Sequence, residues 1–344
     1  MKKTWIPFAA LFLLAACEEE IDLQIGNDTP VLLMNAQFRT DDTLHAVVLN
    51  RSLLSRLELL DGANVTVTVN GTERIAATPR EKNGYYNGSL YCFRADFKAG
   101  DHVRIDAVHG EEHAFAEVDF PEPVTIVSVD TVRTEMPGYY GYWSYQFRTR
   151  IRDIAGIDNY FRVTMERLAA YELETDDAGE RMHWEDQERT GFDASSDPII
   201  SDGIMASSGS DDLFGDLMPG NAYCAFTDRL FRDGDCTLRV EAPLGSFVSY
   251  YTPFSYPVRE RHFYAVMKLY TMSLYQYRYL RAIDNFEAFG YEMSFLVEPT
   301  SLPSNVKGGI GFVSAETCAE ARILMPDSLI PDEPRYYRPV TGEE

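Results

Sequence analysis

Val65-Thr66-Val67-Thr68-Val69, followed at once by Asn70-Gly71, decides the class of fold. β-Branched residues alternate apolar and polar, so one face can be buried while the other stays wet, and Asn-Gly supplies two residues that tolerate positive φ in a tight hairpin. The same period runs outward in both directions. Upstream lie Val31 to Phe38 and Leu44 to Asn50. Downstream lie Glu73 to Thr78, Tyr85 to Phe93, His102 to Val108 and His113 to Phe120, with Ala99-Gly100-Asp101 as a further turn. Seven such segments within roughly ninety residues predict a β-sandwich over residues 30–121, immunoglobulin-like or transthyretin-like.

Phe120-Pro121-Glu122-Pro123 ends that unit, because two prolines flanking one residue cannot continue a ladder. A larger β-rich domain is expected over 124–323. Its strands are read at Val124 to Val132, Tyr145 to Asp153, Tyr160 to Leu168, Cys236 to Ala242, Ser246 to Tyr251 and Phe263 to Thr271. Between them, Glu172 to Leu217 is polar and reads as a long loop. One amphipathic helix is expected near 273–289. Ser273 can cap it and Gln276 can reach back as the third residue of a capping box, while Leu274, Tyr277, Leu280 and Ile283 form an apolar stripe and Gly290 ends it. That stripe reads as core packing rather than a ligand platform. The fold class is therefore mostly β, with two units and one helix, and residues 324–344 form a Pro-rich C-terminal tail.

The chain opens with Lys2-Lys3, an apolar run from Trp5 to Leu14, and Leu14-Ala15-Ala16-Cys17. A basic start, a short apolar core and small residues before a cut site describe a signal peptide over residues 1–16, and the core is shorter than a membrane span. The cysteine at the cut makes it a lipoprotein signal, with Cys17 as the acylated first residue of the mature chain. More than one acyl chain, at about 0.8 kcal/mol per buried methylene, gives stable membrane anchoring. Residues 17–29 then form an acidic tether beginning Glu18-Glu19-Glu20. The formal net charge of −23 becomes more negative once Lys2 and Lys3 are removed, which excludes nucleic acid as a partner.

Four further cysteines stand at 92, 224, 236 and 318 in a chain marked for export. Cys224 and Cys236 are the candidate disulfide, because the polar segment between them carries the turn Arg232-Asp233-Gly234-Asp235. Cys92 and Cys318 would follow by elimination.

No catalytic residue, metal site or cofactor is predicted. His109-Gly110-Glu111-Glu112-His113 has the H-x-x-E-H string of inverted zinc peptidases, but that chemistry needs a helix and these residues read as a hairpin tip. No G-x-S-x-G elbow is present. Asp211, Asp212 and Asp216, or Asp228, Asp233 and Asp235, could offer oxygens to calcium, yet neither set has the EF-hand alternation and a solvated loop is favoured. Tyr139, Tyr140, Tyr142 and Trp143 are the candidate aromatic binding surface for a sugar or peptide, with a strand start carrying buried rings as the other reading.

Glu298-Pro299-Thr300-Ser301-Leu302-Pro303-Ser304-Asn305-Val306-Lys307-Gly308-Gly309-Ile310-Gly311-Phe312-Val313 resembles the closing signature of the domain-of-unknown-function 4249 (DUF4249) lipoproteins. Ala63-Asn64-Val65-Thr66-Val67, the Gly100 to Val108 strand and Phe120-Pro121-Glu122-Pro123 are similar to that family's first half, and the acidic start after Cys17 to its mature end. The resemblance spans nearly the whole mature chain. It implies an outer-membrane lipoprotein, often accompanying a TonB-dependent β-barrel transporter, with no defined activity and no functional residue beyond the lipidated Cys. The run Glu18 to Glu20 resembles signals that send such lipoproteins to the cell surface. The expected function is a non-catalytic, surface-exposed accessory or binding component for a peptide or glycan nutrient. A surface polymer hydrolase and a structural or adhesive lipoprotein are the alternatives. In physical terms, Ser304 to Gly311 reads as a loop needing positive φ or close backbone approach, followed by a last strand.

Overall fold

The computed structural model describes residues 30–53, 56–60, 62–80, 89–135, 143–174, 181–201, 221–248, 251–252, 258–289, 302–326 and 335–336. In chain order the strands are β1 (Val31–Arg39), β2 (Leu44–Leu53), β3 (Arg56–Leu59), β4 (Asn64–Val69), β5 (Glu73–Pro79), β6 (Ser89–Arg94), β7 (His102–His109), β8 (Glu112–Asp119), β9 (Thr125–Glu135) and β10 (Trp143–Arg152). They continue with β11 (Tyr160–Glu174), β12 (Arg181–Thr190), β13 (Ala225–Thr227), β14 (Asp235–Pro243), β15 (Tyr251–Thr252) and β16 (Val258–Met272). The helix α1 (Leu274–Phe289) and the strands β17 (Gly309–Ile310), β18 (Val313–Leu324) and β19 (Arg335–Tyr336) complete the described elements. The protein is mostly β and sandwich-like, as its alternation implies.

One long sheet runs β12-β11-β16-β18-β1-β2-β6-β5-β4-β7-β8, with β13 on β11, β17 on β1 and β3 on β2; a second sheet runs β14-β10-β9. The long sheet turns over at β5, which pairs with β4 through Glu73–Ala77 and with β6 through Thr78 and Pro79. That turn brings Leu32, Met34 and Phe38 of β1 and Val47 and Leu49 of β2 into one core with Val65, Val67 and Val69 of β4 and Val103, Ile105 and Ala107 of β7. The threonines between the valines stay on the other face. Each fully buried Val, Leu or Ile contributes about 1.5–3 kcal/mol, so this period of two is the main source of the first unit's stability.

A second core lies between the β14-β10-β9 sheet and the β11-β16 part of the long one. Phe147 and Ile151 of β10 and Leu238 and Val240 of β14 face Phe161, Val163 and Met165 of β11 and Phe263 and Met267 of β16. Phe120 belongs to the first core and Val124 to the second, so Pro121 to Pro123 pass between them. The junction is pinned on both sides: Thr317 Oγ1 donates to the Pro121 carbonyl at 2.5 Å and the Val124 amide donates to Thr271 Oγ1 at 3.0 Å. β18 serves both cores. It pairs in parallel with β1 and antiparallel with β16, and Val306, Val313 and Ala315 complete the first core from the far end of the chain.

Three expectations are corrected. The polar stretch from Glu172 is not loop throughout: β11 runs to Glu174, and β12 pairs with it from Met165↔Thr190 to Glu174↔Arg181. β12 is an edge strand exposed along almost its whole length, so no apolar alternation marks it, and charges such as Asp186 and Glu188 beside Arg167 suit an edge that must not aggregate. Ser246 to Tyr251 is not one strand. A single 3-10 turn spans Leu244–Ser246, and Phe247 and Val248 enter the second core. Finally, Ser273 caps α1 as read, accepting the Gln276 amide at 3.2 Å, but the Gln276 side chain does not complete a capping box; it donates to Glu316 instead.

The glycine-rich signature closes the first sandwich. Lys307 exchanges two backbone hydrogen bonds with Phe115 of β8, at 2.8 and 2.9 Å, and β17 then lies in parallel on β1. There is no room for side chains between those strands. A Cβ on Gly308 (φ +73) would fall on the His113 carbonyl oxygen, and one on Gly311 (φ +122) on the Met34 carbonyl oxygen. Amide side chains hold either end: Asn305 clamps both Val313 backbone groups, at 2.7 and 2.9 Å, and Asn35 Oδ1 accepts the Phe312 amide at 2.8 Å.

Candidate functional site

The most constrained polar constellation lies where α1 meets β1, β11, β16 and β18. Glu316 of β18 is fully buried and accepts from Arg162 Nε and Nη2 of β11 at 2.5 Å each, from Gln276 Nε2 of α1 at 2.6 Å and from Gln37 Nε2 of β1 at 2.9 Å. The Arg162 guanidinium also lies over the Tyr270 ring, 4.3 Å from its centroid. Next to this, Lys268 Nζ sits between Asp41 at 3.0 Å and Glu166 at 2.9 Å, and Tyr270 donates its hydroxyl to Asp41 at 2.9 Å. Burial alone would raise the Asp41 carboxyl, but Lys268, Arg39 and the Tyr270 hydroxyl outweigh it and hold the group below its ordinary value.

This chemistry is structural. Arg162 and Lys268 are each matched by carboxylates, and the neighbouring Cys318 thiol is pushed by burial up to about 12, so it offers no thiolate nucleophile. The cluster fixes the N-terminal half of α1 against these four strands, and a cleft opens on either side of that half.

The first cleft, of about 270 Å³, lies between α1 and the outer face of β1 and β2. Ala36, Ala46, Val48 and Leu280 form its apolar walls, and Asn35, Gln37 and Gln276 bring neutral amides. Tyr279 and Phe312 stack face to face at its end, with centroids 4.2 Å apart. The second cleft, of about 480 Å³, lies between β8 and the Ser304 to Lys307 segment. Ala116, Val118, Val306, Val313 and Ala315 are its apolar floor, and Glu117, Asp119, Lys307, Ser273 and Tyr275 stand at its rim. Of the helix stripe, Leu280 is buried against Ala225 and Met272 with Tyr277 packed beside them, as core packing requires; Tyr275, outside the stripe, is 61% exposed.

The residues singled out in the sequence are scattered. Cys17, Tyr139, Tyr140, Tyr142, Asp211, Asp212, Asp216 and Gly290 lie outside the described residues. Trp143 is half-exposed at the start of β10 with Arg133 stacked on it at 3.8 Å, and it lines neither cleft. Cys224 and Cys236 are not bridged; they are free thiols, as are Cys92 and Cys318. The reason is topological: the residues after Cys224 form β13 on β11 of the long sheet, while Cys236 lies in β14 on β10, so the turn between them joins two layers instead of a hairpin. Burial pushes Cys224 up to about 11 and Cys236 up to about 12. His109 and His113 do end and begin a hairpin, and their rings take separate partners, Arg51 and Asp106. Asp228, Asp233 and Asp235 diverge toward Asn159, Gly156 and the Arg150–Arg152 pair. Among the described residues no group of three or more His, Cys, Asp or Glu side chains gathers to hold a metal.

The Glu316 cluster and the clefts were not read from the sequence. Their signal was slight: an acidic residue within the apolar run Val313-Ser314-Ala315-Glu316, and a charged Arg162 within Tyr160 to Met165.

Fold and site together define a mostly-β protein whose only described α-helix braces a pair of clefts. The family model for the domain of unknown function DUF4249 matches residues 18–322, and the chain belongs to that family. A search of the curated proteins finds no match. Solved structures similar to it include a DUF4785 family protein from Legionella pneumophila (7% identity, 69% of this chain and 51% of that one, TM-score 0.21). Others are the C-terminal globular domain of an oligosaccharyltransferase from Pyrococcus abyssi (13%, 62% and 38%, TM-score 0.18) and β-glucuronidase 3 of Bacteroides uniformis (9%, 70% and 23%, TM-score 0.19). The chain spans about half or less of each of these.

Proposed function

We propose that this protein is a lipid-anchored component of the outer membrane, facing the cell exterior, that binds a nutrient such as a peptide or glycan without transforming it and works beside a TonB-dependent β-barrel transporter. The observation that carries the reading is Leu14-Ala15-Ala16-Cys17 followed directly by Glu18-Glu19-Glu20. The clefts beside α1 support a binding role: they combine apolar floors with a few polar rim groups, the usual make-up of a ligand site, and the buried Glu316 cluster keeps their walls rigid. Of the charged groups at the second cleft, Glu117 is matched by Arg104 and Asp119 by His102. The test is fractionation. The protein should sediment with outer membranes and be cleaved by protease added to intact cells, and Cys17→Ala should release it. A Cys17→Ala variant that still sediments with membranes refutes anchoring, and a wild type that resists protease until the outer membrane is opened refutes surface display. Purification in mild detergent should recover a large β-barrel partner; a protein recovered alone counts against the transporter association.

A further inference from the structure

The second cleft is bounded by a sheet edge with unused backbone groups. Phe120 turns its N–H and C=O toward Gly100 and Asp101 on the β7 side, and Phe115 turns its own away, to Lys307. By strand alternation, Glu117 and Asp119 also point their N–H and C=O groups away from β7 and into the cleft. Among the described residues none of these four groups is hydrogen-bonded. The facing chain does not supply the partners. Pairing continued from Phe115↔Lys307 would set Asn305 opposite Glu117, but the bridge at Lys307 is isolated and Asn305 is held through its side chain to Val313. Beneath the gap lie Ala116, Val118, Val306, Val313 and Ala315, an apolar floor.

Charge narrows the choice of occupant. Glu117 is paired with Arg104 at 2.9 Å and Asp119 with His102 at 2.7 Å. Lys307 has no carboxylate partner among the described residues; its ammonium lies 5.4 Å from the centroid of the Phe115 ring. We infer that this slot accepts an extended peptide segment of a partner protein, which adds as a strand to β8, hydrogen-bonds Glu117 and Asp119 through its main chain, seats apolar side chains on the Val118–Val313 floor and places a carboxylate near Lys307. This places a contact surface for the partner association proposed above and rests on that reading, while membrane anchoring is tested separately by Cys17→Ala.

The experiment is panning of a phage-displayed random dodecapeptide library against the full-length lipoprotein in detergent, with enriched sequences then measured as synthetic peptides. Enriched sequences should alternate apolar residues and carry an acidic one. Glu117→Pro removes a single outward N–H at an edge position that tolerates proline, and should weaken binding about tenfold. Lys307→Gln should weaken it by roughly threefold, with the loss suppressed at high salt. Glu117→Ala should change little, since it leaves the main chain intact. Should Glu117→Pro unfold, N-methylation of the peptide's pairing residues deletes the same hydrogen bonds from the other side. Failure to enrich any sequence, or peptides that bind Glu117→Pro or tolerate N-methylation as well as the unmodified pair, overturns the inference. So does a homodimer that Glu117→Pro dissociates, which would make a second copy the occupant.

Discussion

Glu316→Leu removes one carboxylate and leaves four donors facing an apolar side chain. Two belong to the Arg162 guanidinium, whose side chain is 8% exposed, and the others to Gln276 and Gln37. Breaking a buried ion pair from one side costs about 3–5 kcal/mol, because the remaining charge has neither water nor partner. For a chain this long, each kcal/mol corresponds to about 2 °C of melting temperature, so the expected loss is about 6–10 °C in a thermal scan. The double variant Arg162→Met/Glu316→Leu removes the stranded charge and should recover part of that loss. The remaining deficit is the unpartnered Gln276 amide, about 1–3 kcal/mol. Gln37 is exposed enough to turn to water. If the single variant costs less than about 1 kcal/mol, or the double variant melts no higher than the single, the buried cluster is not the brace described here.

Other outcomes follow from the same structure. Gly311→Ala and Gly308→Ala should each destabilise by more than about 2 kcal/mol in urea titration, since an added methyl meets a backbone carbonyl oxygen as well as an unfavourable φ, whereas Gly71→Ala at the exposed hairpin, with open space around it, should cost about 1–2 kcal/mol from φ alone. Asp41 has its folded pKa below the ordinary value, so its contribution is complete above about pH 4 and is lost as the pH falls through the folded pKa. The stability gap between wild type and Asp41→Asn, measured by urea melts from about pH 2 to pH 7, should therefore be widest near neutrality and close on acidification; a gap that is flat or widens in acid contradicts the assignment. Alkylation of the unfolded, unreduced protein followed by peptide mapping should find Cys224 and Cys236 both modified, and a Cys224–Cys236 cross-linked peptide would contradict the free thiols.

The first unit was legible because its strands have one wet face. Val65, Val67 and Val69 are buried while Thr66 and Thr68 are not, and the period of two passes directly from sequence to structure. The helix cap at Ser273 and the cramped glycine loop were legible for similar local reasons. What sequence could not convey is long-range. β12 has water on both faces and is held by its ladder to β11, so its composition resembles loop. Arg162, Gln276 and Glu316 are far apart in the chain, and only the meeting of β11, α1 and β18 makes them one cluster. Gln276 illustrates the conflict: its spacing from Ser273 suits a capping box, but a buried carboxylate is a stronger acceptor-side partner than a backbone amide is a donor. The failed Cys224–Cys236 pairing has the same origin, since a turn-like segment of suitable length served two layers.

β18 lying on β1 also dictates when the protein can finish folding. The Phe312 amide bonds to Asn35 across 277 positions of chain, and Gly309, Val313 and Ala315 complete walls of the sandwich that β1 begins. A chain synthesised from its N-terminus therefore exposes an unfinished first sandwich, with one side of β1 unpaired, until β17 and β18 arrive. Such high contact order slows folding and leaves sticky edges in the interim. The segment that starts the fold waits for the segment that ends it, and a truncation that removes residues from Ser304 onward should leave the N-terminal half aggregation-prone rather than an independent module.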